Sequence, residues 1–208
     1  MPDQIDEIAS GLGRIALFWR AGAWQAAAGQ GLHPTQAELL PPLVRRGAER
    51  QVDLAAMLGV TPASLSDSVA SLVAKGLVAR HPDARDRRAV LVGLTYAGRR
   101  VQAALPRAPE ALAEALSDLP AGDRGPLLRA LTGIIRGLQE ARAIPVQRMC
   151  VTCRHFRPHV HEDAATPHHC AFVDAAFGDA ALRLDCGDHE EATEEDRARN
   201  RASFDAVA

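Results

Sequence analysis

Three features of the sequence predict a mainly α-helical fold. Hydrophobic residues make up 47% of the 208 residues, which is enough for a buried core, whereas aromatic residues make up only 4%. Ala and Leu are abundant, and this composition favours helix packing over a β-sandwich. Apolar residues recur at helical spacing over most of the chain, and the period changes to that of strands near residues 77–94. The sequence therefore predicts helices with one two-stranded hairpin.

The N-terminal part of the chain is predicted to form two helices. Residues 4–29 carry apolar side chains at helical spacing, and Gly29-Gln-Gly31 ends that pattern. The second helix is predicted to have Thr35 as its N-cap, because Glu38 follows three residues later, and to run to Val44.

A short helix, a tight turn and a further helix come next. Residues 51–58 form the short helix, and Gly59-Val60 forms the turn. Thr61 is the predicted N-cap of the second helix, and Pro62 suits its first position, where a missing N–H costs nothing. Gly76 is predicted to end this helix in the left-handed conformation.

The following segment predicts a hairpin with a basic tip. Residues 77–81 and 89–94 are the predicted strands, and the loop over residues 82–88 contains three Arg and two Asp. Helix, turn, helix and basic hairpin in this order are typical of a winged helix-turn-helix. A helix of this kind fits the major groove of DNA, and a basic hairpin tip fits the neighbouring minor groove.

Two more helical regions complete this part of the chain. Thr95 is the predicted cap of a long helix beginning at Tyr96, which we expect Pro106 and Pro109 to kink. A last helix is predicted over residues 123–142, with a stripe of Leu and Ile. That stripe is either monomer core or a dimer interface.

A long ordered run of residues in this region identifies a family. Residues 52–80 read VDLAAMLGVTPASLSDSVASLVAKGLVAR, and they are followed by Asp86-Arg87-Arg88 and by the segment LTYAG at residues 94–98. This run resembles the MarR family of multiple antibiotic resistance regulators, over about residues 5–142. The resemblance implies a homodimeric repressor that binds double-stranded DNA at a pseudo-palindromic operator. It also implies that the first and last helices intertwine between protomers.

The resemblance assigns residues to the DNA interface. The helix from Thr61 to Lys75 would enter the major groove, while Asp86 would hold the wing and Arg88 would reach the minor groove. The candidate DNA-binding residues are Thr61, Ala63, Ser64, Asp67, Ser68, Lys75, Arg85, Asp86, Arg87 and Arg88. Because this helix offers mostly Ser, Ala and Asp67, where family members often have Arg or Gln, we expect sparse base readout and a larger contribution from the wing and DNA shape. The alternative is a winged helix that binds a protein.

Charge separates the chain into two regions. Residues 1–142 carry 17 Lys and Arg against 14 Asp and Glu, whereas residues 143–208 carry 7 against 12. The N-terminal region is therefore the candidate partner for DNA. The chain has no apolar stretch of 18 residues, and its acidic start opens no signal peptide, so the sequence predicts a cytoplasmic protein without a membrane span.

The C-terminal segment contains all four cysteines, in a pattern typical of a metal site. Cys150 and Cys153 form a CxxC pair, Cys170 follows after 16 residues and Cys186 after 15 more. A segment this small buries too little surface to fold by itself, and a bound metal would supply the missing free energy. Four thiolates fit a tetrahedral zinc ion and also an iron–sulfur cluster. The spacing leaves both open, with zinc as the commoner default, and a redox-active thiol pair without metal is the third interpretation.

Six of the eight His also lie in this segment. His169 and His189 are second-choice ligands because they lie close to Cys170 and Cys186, and we expect the other four to be solvated. The module would either brace the dimer or sense redox state or iron. An enzyme or interaction module built on this segment is the alternative. We expect no enzyme, because four Cys leave no open metal position, and because no HExxH motif, phosphate loop or nucleophile elbow is present.

These predictions divide the chain into four segments. They are an N-terminal dimerisation helix (1–34), the winged helix-turn-helix (35–95), C-terminal dimerisation helices (96–143) and the Cys/His-rich extension with its acidic tail (144–208). The family resemblance also implies a small, often aromatic, anionic effector that binds between the dimerisation helices and the DNA-binding lobe. Trp19, Trp24 and His33 are candidates to line its pocket, although core packing explains the two Trp equally well.

Overall fold

The computed structural model describes residues 3–84, 86, 88–106 and 108–206. The chain forms two compact units, and the boundary between them in the sequence lies between Asp118 and Leu119. The fold is mainly helical, as predicted, with short antiparallel strands in each unit.

Six helices and a small sheet build the first unit. The helices are α1 (Gln4–Gly29), α2 (Pro34–Arg46), α3 (Gln51–Leu58), α4 (Pro62–Ala74), α5 (Tyr96–Ala104) and α6 (Glu110–Ser117). The strands are β1 (Glu49–Arg50), β2 (Val78–Pro82) and β3 (Val90–Leu94). They form an antiparallel sheet in the order β1-β3-β2, in which Arg80 lies opposite Val92. The predicted hairpin is therefore confirmed, and the short strand β1 adds a third member that the sequence did not reveal.

The predicted helix ends around the helix-turn-helix are confirmed. Thr61 Oγ1 accepts a hydrogen bond from the Ser64 N–H at 3.2 Å, and Thr95 Oγ1 accepts one from the Gly98 N–H at 3.0 Å. Gly76 has φ = +68°, the left-handed conformation expected after a helix.

Two predictions about helix ends are wrong. Thr35 is not the N-cap of α2, because that helix begins at Pro34 and the Gln36 side chain accepts a hydrogen bond from the backbone N–H of His33 at 3.1 Å. Pro106 and Pro109 do not kink one long helix. The chain instead forms two separate helices, α5 and α6, since proline lacks the N–H that a continuous helix needs.

An aliphatic core holds the first unit together. Its fully buried side chains come from α2, α3, α4 and β3, and include Leu39, Leu40, Leu54, Leu65, Val69, Leu72 and Val92. Gly98 lies at the edge of this core, where an added Cβ would come within 2.0 Å of the Leu77 carbonyl oxygen. Only glycine allows α5 to approach the end of α4 and the start of β2 so closely.

The second unit combines the last long helix with the cysteine-rich segment. It contains α7 (Ala121–Glu140), α8 (Glu194–Asp205) and a sheet in the order β4-β5-β6, formed by Phe156–Arg157, His168–Cys170 and Ala175–Phe177. Its core includes Met149, Phe156, Leu182 and Phe204, with Leu128 and Ile135 of α7 packed against them. Helix α7 thus belongs to the same compact unit as the cysteine segment.

Among the described residues, no single helix is long and apolar enough to cross a membrane, although α3 and α4, bent by 113° at their junction, pass that test as a pair on length and composition alone.

Candidate nucleic-acid interface and cysteine cavity

Helix α4 has one buried face and one exposed polar face. Leu65, Val69 and Leu72 point into the aliphatic core. The predicted DNA-facing residues lie on the other side: Thr61, Ala63, Ser64 and Asp67 are exposed, and Ser68 is half-buried. The structure therefore brings these candidates together at the N-terminal end of one helix, the part that meets base edges in helix-turn-helix proteins.

The hydroxyl groups on this face already make local hydrogen bonds. The Ser68 hydroxyl donates to the Ser64 carbonyl oxygen at 3.0 Å, and the Thr61 hydroxyl donates to Ser64 Oγ at 3.0 Å. The Asp67 carboxylate is an exposed acceptor that suits a cytosine amine.

Lys75 has a structural role at the end of α4. Its Nζ donates to the Gly31 carbonyl oxygen at 2.7 Å and to Gln36 Oε1 at 2.8 Å. Gln36 is buried, and its Nε2 donates to Ser71 Oγ at 2.9 Å. These bonds tie the start of α2 to α4 and hold the Lys75 ammonium away from the exposed N-terminal face of α4.

The wing is anchored by ionic contacts at its base. Asp83 is buried and accepts hydrogen bonds from Arg50 Nε at 3.2 Å and Nη2 at 2.8 Å. Arg50 Nη2 also lies 3.5 Å from Asp86 Oδ2. The hydrogen bond with Asp83 raises the pKa of Arg50, so this cation stays charged.

At the wing tip, Asp86 holds the backbone and Arg88 has an exposed side chain. Asp86 Oδ1 accepts a hydrogen bond from the Arg88 backbone N–H at 3.1 Å, and the Arg88 side chain is exposed. The predicted contacts Arg85 and Arg87 lie outside the described residues. No local sequence pattern marks Arg50 as part of the wing, because its partners are 33 and 36 residues away.

The first unit also contains a cavity of about 130 Å³ between α1, α2 and the segment after α5. Trp19 and Trp24 of α1 line it together with Pro41, Leu105 and Glu38. His33, the third predicted pocket residue, is not among the lining residues in the described chain.

In the second unit, all four cysteines line one cavity of about 150 Å³. The structure therefore brings the four predicted ligands together, although they come from separate parts of the segment. His155 and Asp188 also line this cavity. Among the described residues, however, no three His, Cys, Asp or Glu side chains are placed to hold one metal ion.

The predicted second-choice ligands have other partners. His169 Nε2 lies 3.3 Å from Asp174 Oδ1, and its Nδ1 lies 3.2 Å from His161 Nε2. His189 Nε2 hydrogen-bonds with Thr152 Oγ1 at 2.9 Å. Neither ring is part of the cavity wall that the structure describes.

Burial affects the acidity of Cys150, one of the cysteines that line the cavity. Burial raises the pKa of Cys150 to about 11, although a hydrogen bond from the Arg183 backbone N–H lowers it in part. The nearby Cys186, Cys153 and Cys170 add to the increase. The free Cys150 side chain is therefore a neutral thiol at pH 7.

A buried histidine forms the polar centre of the second unit, contrary to the expectation that it would be solvated. His168 is fully buried, and its Nε2 donates to Asp179 Oδ1 at 2.8 Å. Arg129 of α7 lies 3.4 Å from the same carboxylate and stacks on Phe204 at 4.2 Å from the ring centre. This network connects α7 to the cysteine segment, and its partners are too distant in the sequence to be found by pattern.

A helix-turn-helix with an exposed polar second helix and an anchored β-wing defines a winged helix-turn-helix protein. Residues 30–89 match the model of the MarR family. This part of the chain is similar to the MarR family, and the chain shares the fold of solved MarR-family transcriptional regulators.

Solved structures support this fold. The transcriptional regulator BldR from Sulfolobus solfataricus is 29% identical, covers 64% of this chain and 98% of its own, and superimposes with a TM-score of 0.51. A MarR-family regulator from Rhodococcus sp. RHA1 is 22% identical over 70% of this chain and 100% of its own, with a TM-score of 0.51. CouR from Rhodococcus jostii RHA1, bound to p-coumaroyl-CoA, is 24% identical and covers 70% of this chain and 98% of its own, with a TM-score of 0.54. No curated protein matches the chain.

Proposed function

We propose that the protein is a transcriptional repressor that binds a pseudo-palindromic DNA operator as a homodimer. The observation that carries this proposal is the pairing of an exposed polar face on α4 with a wing fixed at its base by Arg50 and Asp83. A wing held in place presents the exposed Arg88 at a fixed distance from α4. That is what simultaneous contact with adjacent grooves requires.

The proposal of a homodimer rests on the exposed apolar stripe of α1. Ile5, Ile8, Leu12 and Ile15 recur every three or four residues, and each is between 39% and 71% exposed. Exposed apolar stripes of this length mark interaction surfaces. A second copy of the chain is the proposed partner, because a repressor of a pseudo-palindromic site needs two recognition helices. Helix α7 has exposed apolar residues of its own, Leu127, Ile134 and Leu138.

We further propose that the cavity lined by Trp19 and Trp24 binds a small aromatic effector. CouR, which shares the fold, was solved with an aromatic thioester. Glu38 on the cavity wall would repel an anion, so a neutral or cationic aromatic compound fits better. The chain has two Trp, and both line this cavity. Their fluorescence should therefore respond to benzamidine more than to benzoate, and a stronger response to benzoate would contradict the role of Glu38.

The cysteine segment is proposed to bind a metal through Cys150, Cys153, Cys170 and Cys186, as zinc or as an iron–sulfur cluster. Its position supports either a bracing or a sensing role, because it packs against α7 through Arg129, Asp179 and Phe204. Arg136 and Glu140 of α7 also form ion pairs with α8. A change in the module would therefore be transmitted directly to α7.

Selection of genomic DNA fragments by the full-length protein tests the DNA-binding proposal, at about 150 mM salt so that nonspecific binding is screened. We expect enrichment of a few duplex sites whose footprints show two protected half-sites related by two-fold symmetry. Their centres should lie about one helical turn apart, roughly 34–36 Å. Recovery of unselected fragments only would overturn DNA recognition, and a single asymmetric half-site would overturn the homodimer.

A further inference from the structure

We propose that the cysteine cavity binds an iron–sulfur cluster, not a single zinc ion, through Cys150, Cys153, Cys170 and Cys186. This inference deepens the metal site of the proposed function and rests on it.

Three separate segments of the chain bring the four cysteines to one cavity. Cys150 and Cys153 lie at the two ends of a 3-10 turn, Cys170 ends strand β5, and Cys186 lies in a loop held by its own N–H to the Arg148 carbonyl oxygen at 2.8 Å. Cys153 is also bridged to the backbone of Glu191. Three independently anchored segments thus place their thiols around one space, as a ligand in the middle requires.

The size of that space argues for a cluster. Zinc bound by four thiolates has Zn–S distances of about 2.3 Å, so its sulfur atoms lie roughly 3.8 Å apart and leave room only for the ion. The cavity that these cysteines line together with nine other residues is about 150 Å³. That is several times the ~30 Å³ that one water molecule occupies in the liquid. An iron–sulfur cluster places several irons and sulfides between its thiolates and needs such a space.

The spacing of the side chains leads to the same conclusion. In the described parts of the chain, no three His, Cys, Asp or Glu side chains converge closely enough for one ion. Yet all four cysteines line the same cavity. Ligands that lie around a common space, and do not converge on one point, suit a cluster that contains several metal atoms.

The cavity walls provide the environment that such a cluster needs. Phe156, Phe172, Phe177 and Val173 form much of the lining. An apolar wall lowers the polarity around a bound group, and the surroundings of an iron–sulfur cluster govern its reduction potential.

Arg183 supplies hydrogen bonds and positive charge to the sulfur atoms. Its backbone N–H donates to Cys150 Sγ at 3.3 Å, and its guanidinium lies 3.8 Å from Cys186 Sγ. Four thiolates with bound sulfides carry net negative charge, which a guanidinium offsets. Arg183 is a positioning residue, since it acts on the cluster through the cysteine sulfurs.

The test is to purify the full-length protein without oxygen and measure iron, zinc and acid-labile sulfide. The same measurements follow anaerobic reconstitution with ferrous iron and sulfide. We expect equal amounts of iron and sulfide, two or four of each per chain, with visible charge-transfer absorption. About one zinc per chain without sulfide, or a reconstituted protein that retains no sulfide, would overturn the proposal.

Variants locate the cluster. Cys170→Ser should reduce bound sulfide at least tenfold, whereas His169→Ala, beside it and outside the cavity wall, should leave sulfide unchanged. Circular dichroism shows whether each variant is folded. Arg183→Met keeps all four thiols, and we expect it to retain the cluster at a more negative reduction potential, because a cation and a hydrogen-bond donor are lost. An unchanged potential would overturn the role of Arg183, and full cluster content in Cys170→Ser would overturn the ligand set.

The outcome is separable from the DNA-binding proposal. Iron and sulfide are measured in protein without DNA, and operator selection is scored by sequence enrichment. A colourless protein that still selects an operator would overturn only the cluster. A clustered protein that selects no operator would overturn only the DNA-binding function.

Discussion

The two units of this protein reach a stable structure in different ways. The winged-helix unit buries a continuous set of Leu and Val side chains drawn mainly from three helices and two strands. The cysteine-containing unit has a smaller apolar core, and its centre is a buried histidine that donates to Asp179, which also pairs with Arg129. Its four cysteines line a cavity, whereas a larger domain would fill such a space with side chains. The core of the first unit is therefore filled by its own aliphatic side chains, whereas four cysteines line a cavity in the second unit.

The largest expected effect of a single substitution is in the aliphatic core of the first unit. Leu65 is fully buried, and Leu65→Ala should lower the free energy of unfolding by about 2–5 kcal/mol, because it removes apolar contacts and leaves a cavity. Val52 on α3 is 61% exposed and provides the control, since Val52→Ala should change stability by less than about 1 kcal/mol. Chemical denaturation measures both, and equal effects would contradict the assigned core.

Two glycines with similar close contacts test whether the units are independent. An added Cβ at Gly98 would lie 2.0 Å from the Leu77 carbonyl oxygen, and one at Gly178 would lie 2.2 Å from the Ala165 carbonyl oxygen. Each change to Ala should cost about 1–3 kcal/mol, because backbone must move. Hydrogen exchange should show the loss within 3–118 for Gly98→Ala and within 119–206 for Gly178→Ala.

The matched control for this pair is Gly133→Ala in α7. A Cβ at Gly133 meets nothing within 4 Å, so Ala should leave the fold intact and stabilise the helix by roughly 0.5–1 kcal/mol. If either clashing variant destabilised both units equally, the chain would unfold as one cooperative body and the comparison would fail.

The hydrogen bond between His168 and Asp179 should contribute to the stability of the second unit, because His168 is fully buried. His168→Leu removes the donor to Asp179 and should lower the stability of this unit by about 1–3 kcal/mol, because a carboxylate loses its partner. Adding Asp179→Asn should cost less in the His168→Leu background than in the wild type. Additive effects in this double-mutant cycle, measured by denaturation, would show that the two side chains act independently.

The smallest expected effect is the pH dependence of the second unit. Burial, followed by the nearby His168 and Arg129, lowers the pKa of His159 below its ordinary value of 6.5. The unfolded chain then takes up the proton first as pH falls through 6.5, so stability present above that pH is lost on acidification. His159→Gln should weaken this dependence in denaturation curves between about pH 7.5 and 5. An unchanged slope would assign the effect to another group.

Local patterns predicted the first unit well, because its elements are marked by neighbouring residues. Thr61, Thr95 and Gly76 act within three or four positions in the sequence, so their caps and turns could be identified directly. Prolines were harder to interpret, since Pro106 and Pro109 suit a kink as well as a break. The contacts of Arg50 with the wing depend on strand pairing and had no local signal.

The second unit was predictable in composition but not in arrangement. The four cysteines marked the candidate ligands, and the structure places them around one cavity. Their spacing in the sequence did not give the size of that cavity, because it depends on how three segments fold over the core. The burial of His168 was also unexpected, since its partner Asp179 lies 11 residues away and Arg129, which pairs with Asp179, lies 50 residues from that aspartate. For the same reason, the packing of α7 in the unit that holds the cysteines emerged only from the structure.

Binding of the selected operator by Arg88→Ala tests the central claim most directly. Fluorescence anisotropy of the labelled operator, at a fixed salt concentration, would compare the wild type, Arg88→Ala and the control Arg154→Ala, whose side chain is 60% exposed in the cysteine-containing unit. Loss of a minor-groove arginine should cost about 1–3 kcal/mol, or roughly 5- to 150-fold in affinity, while Arg154→Ala should bind like the wild type. Operator binding by Arg88→Ala as tight as that of the wild type would contradict the assignment of this wing to DNA.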